Sequence, residues 1–233
     1  MGDPQEHIDP VEGWVIYEDE SILAVNKPSG LRTIIDGYEP SLPYLSGLLN
    51  ARYGRLWTVH RLDKDTSGII LFARDSESHR KLNQQFEQRK IVKAYHAVVS
   101  GTLPWKDKRI DLPLLVNGDR KHRTIVDHHR GKPAASRVEV LAQYSLAGMV
   151  SVHPEAGYTH QIRAHLAAVG SPILFDHLYR RSSDPPFPEL HVPTRLALHA
   201  SSIEFVHPGS GNMVRFYANY QEDFNAILAA LIR

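Results

Sequence analysis

His60-Arg61-Leu62-Asp63-Lys64-Asp65-Thr66-Ser67-Gly68 runs directly into Ile69-Ile70-Leu71-Phe72-Ala73. The second stretch is a short, unbroken apolar run, the length of a strand rather than a helix, and it predicts a buried strand. The first crowds two carboxylates, two cations, a histidine and two hydroxyls into nine residues. A loop of that make-up, held by a rigid strand, is where reactive side chains concentrate. A solvated, salt-bridged turn is the alternative reading of the same residues.

Upstream, Trp14-Val15-Ile16-Tyr17 and Ile22-Leu23-Ala24-Val25-Asn26 flank a polar turn and predict two strands. Lys27-Pro28-Ser29-Gly30 ends the second of them. Leu42, Leu45, Leu48, Leu49 and Tyr53 follow helical spacing, with Ser41 placed to cap. Downstream, the spacing predicts a helix over 75–89 with Leu82 and Phe86 inward, then a strand over 92–99 ending at Gly101. Residues 102–135 are polar, basic and irregular, and strands follow at 138–143 and 149–153. Thr159 is placed to cap a helix reaching Ala168, with Ile162, Leu166 and Val169 as its buried stripe. The stretch 180–194, with four prolines, reads as loop. Residues 203–206 and 213–216 form a hairpin, and a last helix carries Phe224, Ile227, Leu228 and Leu231 on one side. Strands and helices do not alternate as a doubly wound sheet requires. The expectation is one α+β domain over 13–233, with a mostly antiparallel sheet flanked by helices and loops, behind a frayed polar tail at 1–12.

Composition bounds the rest. No apolar run approaches the roughly 20 residues that span a bilayer. The acidic, polar start Met1-Gly2-Asp3-Pro4-Gln5-Glu6 does not read as a secretory signal. Absence of cysteine excludes disulfides and thiolate metal sites, and a reducing cytoplasm fits best. Net charge is +1, but residues 51–140 hold 19 Lys or Arg against 10 Asp or Glu, and the remainder 8 against 16. Such asymmetry suits a polyanion on one part of the surface, or simply a basic solvated face.

Two further stretches carry candidate chemistry. In Gly157-Tyr158-Thr159-His160-Gln161-Ile162-Arg163-Ala164-His165-Leu166, Arg163 lies on the flank of the apolar stripe, within reach of a partly buried carboxylate. At about 4 Å and an effective dielectric near 20, a cation offers roughly 4 kcal/mol of attraction before desolvation, enough to keep such a carboxylate ionised. In Lys93-Ala94-Tyr95-His96-Ala97-Val98-Val99-Ser100-Gly101, Tyr95 on its own reads as core. His160 and His165 stand five residues apart, about 140° around a helix, which suits a single metal poorly. No His-Glu-x-x-His motif occurs.

Residues 60–68 resemble the signature loop of the RluA-type pseudouridine synthases. Four more blocks resemble the same family in the same order. They are Tyr17-Glu18-Asp19-Glu20 with Val25-Asn26-Lys27-Pro28-Ser29-Gly30-Leu31, then residues 93–101, then 159–166, then Arg195-Leu196-Ala197-Leu198-His199-Ala200. The resemblance implies the pseudouridine synthase fold and an isomerase acting on structured RNA, ribosomal or transfer. It makes Asp63 the nucleophile, sets Tyr95 against the uracil ring and pairs Arg163 with Asp63. Arg61 matches an arginine that can fill the gap left by a flipped nucleotide, with a contact to phosphate alone as the alternative. His60, Thr66, Lys93, His160, Gln161 and Leu198 are implied around the substrate. No atoms enter or leave in the reaction, so no redox cofactor, nucleotide or metal is implied. A monomer is expected, with no membrane contact.

Three departures from the family pattern are present. Tyr158 stands where an arginine is usual, Phe175 where a glycine usually precedes Asp176, and Tyr217-Ala218-Asn219 lacks an expected proline. The blocks begin by residue 14, so no separate N-terminal RNA-binding domain is expected ahead of them. Phosphate contacts are then expected from the basic middle of the chain: Arg55, Lys64, Lys106, Lys108, Arg109, Arg120, Lys121 and Arg123. A base-releasing glycosylase, a metal hydrolase and a non-catalytic RNA-binding module are the competing readings.

Overall fold

The computed structural model describes residues 11–180, 191–192 and 194–232. Most of the expected tail and most of the proline-rich stretch therefore lie outside the described residues. Val11, at the end of the stretch read as tail, is buried in the core.

Strands β1 (Val15–Glu18) and β2 (Ile22–Lys27) form the first hairpin, its turn pinned by Asp19, whose Oδ1 accepts from the Ser21 and Ile22 amides at 2.8 Å each. Helix α1 (Leu45–Tyr53) and the short β3 (Trp57–Thr58) lead to β4 (Ser67–Ala73). Every residue of β4 is buried, as its continuous apolar run predicts for a central strand. Asp75 caps α2 (Ser76–Glu87) by accepting from the Glu77 and Ser78 amides. Then come β5 (Val92–Ser100), β6 (Asp107–Asp111), β7 (Leu114–Leu115), β8 (Ile125–Val126), β9 (Ala135–Gln143) and β10 (Ala147–Pro154). Helix α3 (Gln161–Ala168), the hairpin β11 (Leu198–Val206) and β12 (Met213–Tyr217), and α4 (Glu222–Leu231) complete the chain.

Ten strands share one sheet, along the path β1-β2-β4-β11-β5-β10-β9-β6, with β12 also on β11 and β3 also on β4. Among the described residues only β4 and β11 pair in parallel, through His199–Ser67 and Ala200–Gly68. This is the expected α+β architecture. One core lies around β2, β4, α1 and α2, and a second around β5, β10, α3 and α4.

Four local expectations need correction. Helix α1 begins at Leu45 behind an extended Tyr44, so Ser41 does not cap it and Leu42 stays partly exposed outside it. Thr159 does not cap α3; that position belongs to His160, which is left-handed at φ 56°, while the Thr159 carbonyl accepts from the Thr124 hydroxyl. Helix α3 is also buried on nearly all sides rather than along one stripe. Finally, residues 102–135 are not wholly irregular, because β6 extends the sheet. It escapes a periodicity search because only Ile110 of its five residues is buried, as befits a charged edge strand.

Candidate active site

The loop carrying Asp63 enters the sheet through Gly68, and that entry needs glycine. Gly68 has φ +110°, and a Cβ there would lie 2.2 Å from the Ala200 carbonyl oxygen. The close parallel approach of β4 and β11 thus fixes the loop to the sheet. A second anchor is Lys27, fully buried, whose ammonium donates to the carbonyls of Pro28, Leu31 and Lys64 at 2.9, 2.7 and 3.0 Å. Burial, more than the nearby charges, lowers its pKa to about 7. The buried Thr33 hydroxyl adds a third tie, donating to the Leu62 carbonyl and accepting from the Leu62 amide.

So held, Asp63 lines a cavity of about 240 Å³ whose walls include Thr66, Lys93, Tyr95, His160, Arg163 and Leu198. Its carboxylate is 22% exposed, with the His160 Nε2 and an Arg163 Nη1 each 3.7 Å from Oδ2. Arg163 also makes two 2.8 Å hydrogen bonds to Asp176, from Nε to Oδ2 and Nη2 to Oδ1, and its guanidinium lies 5.1 Å from the Tyr179 ring centre. The expected Arg163–Asp63 pairing is therefore the longer of two. Burial is the largest single influence and opposes the charge on Arg163, but the hydrogen bonds and charge of Asp176, together with Asp63 and Tyr179, outweigh it and raise its pKa. Sequence reasoning missed Asp176 and Tyr179 as parts of the site. Asp176 follows Phe175, which is itself left-handed at φ 61°, and this is the physical reason a glycine is usual there.

Tyr95 reaches the cavity from β5. Burial first, and the Asp63 charge second, raise its pKa well above the ordinary phenol range, so its hydroxyl is protonated in the free enzyme. Leu198 is buried in the cavity wall at the start of β11. Arg61 is exposed at the rim, where it is open to a large ligand.

Two residues expected around the substrate are held by the protein itself. His60 stacks on Phe86 with ring centres 4.8 Å apart, and its Nε2 accepts from the Leu71 amide. Burial, with a smaller effect from Lys93, lowers its pKa to about 3, so it enters the cavity wall as a fixed neutral ring. Gln161 is buried, donating to the Ala135 carbonyl and Ser136 hydroxyl and accepting from the Tyr158 amide. Its amide ties α3 to β9 and is not turned to a ligand. His165 is likewise engaged, with Ser136 and the Leu112 carbonyl.

The expected phosphate contacts divide similarly. Arg109 pairs with Glu155 and Asp111, and Arg123 with Asp119. Lys106 and Lys108 instead line a broad trough of about 1040 Å³ along the β6–β9 edge, together with Trp105 and Arg137. Among the described residues, no helix is long and apolar enough to cross a membrane.

Comparison with known proteins gives a consistent result. Residues 21–168 match the family described as RNA pseudouridylate synthase. The chain is 37% identical over 222 residues to the ribosomal large subunit pseudouridine synthase C of Escherichia coli (strain K12), covering 93% of this chain and 69% of that protein. It is 34% identical over 212 residues to the dual-specificity RNA pseudouridine synthase RluA of Vibrio vulnificus (strain CMCP6), covering 88% and 83% respectively. A solved structure of the human RNA pseudouridylate synthase domain containing 4 superposes with a TM-score of 0.79 at 21% identity, over 95% of this chain and 94% of that one.

Proposed function

Because this chain belongs to the RNA pseudouridylate synthase family and isomerises uridine to pseudouridine in RNA, we propose that Asp63 is its nucleophile, acting on an everted uridine in the cavity it lines. The observation that carries this reading is the placement of the Asp63 carboxylate between Arg163 and His160, in one cavity with Tyr95.

The reaction detaches uracil from C1′, turns it and rejoins it through C5. Three routes are open to Asp63: attack on C1′, addition to C6 of the base, or removal of a C2′ proton. Arg163, itself held by Asp176, places a cation 3.7 Å from the carboxylate that each route uses. Tyr95 packs on the ring, and part of what keeps its hydroxyl protonated is the Asp63 charge. Once Asp63 is consumed in a covalent bond that charge is gone, so Tyr95 gives up its proton more readily, to N1 of the detached base, and the phenolate left behind takes the proton from C5. Removing the uridine from its stack costs a few kcal/mol, which phosphate contacts offset. Arg61, at the rim, fills the space it leaves.

The substrate is a structured RNA, a stem-loop of ribosomal or transfer RNA, and the enzyme acts as a monomer in the cytoplasm. Neither metal nor organic cofactor enters this account. Mapping pseudouridines in cellular RNA with and without the gene tests it. At least one ribosomal or transfer RNA position should revert to uridine on deletion, and an unchanged map contradicts the assignment. Intact RNA without abasic sites excludes the glycosylase reading.

A further inference from the structure

Lys93 sits on β5 two residues before Tyr95, hence on the same face of the strand and about 7 Å along it. Both line the Asp63 cavity. Its ammonium has three hydrogens to donate, yet its one polar contact among the described residues is the Ala156 carbonyl at 3.4 Å. No carboxylate among those residues pairs with it. Burial lowers its pKa. Gly157 leaves room beside it, since a Cβ there would lie 3.3 Å from the ammonium nitrogen. Thr66, 2% exposed on the same cavity, keeps a buried hydroxyl with no hydrogen-bond partner among the described residues. Buried polar groups are rarely left unpaired, and on this one cavity the Thr66 hydroxyl is unpartnered while the half-buried Lys93 ammonium has two of its three hydrogens unused.

We propose that Lys93, assisted by the Thr66 hydroxyl, binds the carbonyl oxygens of the uracil and stabilises the negative charge that develops on them while the base is in transit. This rests on the reading of the cavity as the uridine site. When C1′–N1 breaks, its electron pair stays with the base and spreads from N1 onto O2 and O4. If Asp63 instead adds to C6, the charge gathers on O4 as an enolate. In each route a carbonyl oxygen gains charge, and a donor already in place favours the charged species most. The balance closes within the substrate: C1′–C5 replaces C1′–N1, C5 loses a proton and N1 gains one. Lys93 donates hydrogen bonds throughout and transfers nothing.

The test is single-turnover pseudouridine formation alongside RNA binding measured at several salt concentrations, using the RNA that the wild-type enzyme modifies. Lys93→Met should lower the chemical rate on the order of 100-fold, with Kd and its salt dependence unchanged, and Lys93→Arg should recover part of the loss. An undiminished rate for Lys93→Met overturns the proposal. So does a weakened Kd whose salt slope falls by about one while the rate holds, the signature of a phosphate contact. Should Lys93→Met not fold, Thr66→Val replaces it, with a smaller loss of rate at unchanged Kd expected, and an undiminished rate again overturning the idea. The wild-type arm separates the two claims. No pseudouridine from the wild type counts against the site itself, whereas wild-type turnover matched by the variant counts against Lys93 alone.

Discussion

Arg163 grips Asp176 through two parallel hydrogen bonds of 2.8 Å each. The guanidinium reaches Asp63 only at 3.7 Å, so Asp176 sets where the positive charge sits and Asp63 experiences it from a short distance. A bidentate pair of this kind fixes orientation as well as charge.

Asp176→Ala should therefore harm both folding and chemistry. Removing one partner of a buried pair strands the other, at a cost of about 3–5 kcal/mol. Equilibrium unfolding in urea should show that loss, and Asp176→Asn, which keeps one acceptor oxygen, should lose less. The rate of pseudouridine formation should fall by about tenfold or more even for Asn, because Arg163 is no longer locked.

Phe175 sets two effects against each other. Its left-handed backbone costs about 1–2 kcal/mol for a residue with a side chain. Its ring, however, is packed in the second core, and truncating a buried Phe costs about 3–5 kcal/mol. The ring wins, so Phe175→Gly should be less stable than wild type. It should nonetheless be more stable than Phe175→Ala, by about 1 kcal/mol in chemical denaturation, because glycine relieves the strain and alanine does not.

Lys27→Met should leave the Pro28, Leu31 and Lys64 carbonyls without their shared donor. The Lys64 carbonyl keeps a bond from the Gly30 amide, whereas the part-buried Pro28 and Leu31 carbonyls lose the donor they have, at about 1 kcal/mol each. The Lys64 carbonyl adjoins Asp63, so amide exchange should rise first in the loop at 60–66, with a loss of rate alongside.

Acid should destabilise the fold before the carboxylates titrate. His60 and His199 have folded pKa values lowered by burial to about 3 and about 4. In the unfolded chain they take up protons near 6.5. Between these limits the unfolded state binds more protons, so stability rises with pH and is lost as pH falls from about 6.5 toward 4. Urea unfolding free energies across that range should show a slope approaching at least two protons, and His60→Gln should flatten it by about one.

What the sequence reveals about this molecule follows from where each signal is local. The buried run at 69–73, the helix that follows it and the hairpin around residues 207–211 are legible because neighbouring residues settle them. Asp63, Tyr95 and Arg163 are brought together as the family resemblance implies, through contacts that span the chain. The strand β6 is invisible to periodicity because its outer residues are charged. The roles of Asp176, His60 and Gln161 depend on partners 13, 11 and 26 residues away, and no pattern in the sequence announces those pairings. The family loop draws attention to every polar residue in it, whereas the fold turns some of them inward as struts.

The most direct test is a single-turnover assay of Asp63→Ala on an RNA that the wild-type enzyme modifies, with RNA affinity measured in parallel. Pseudouridine formation should vanish while affinity stays within a few-fold of wild type, because one carboxylate performs the chemistry and many other groups hold the RNA. Turnover at an undiminished rate without that carboxylate would contradict the assignment.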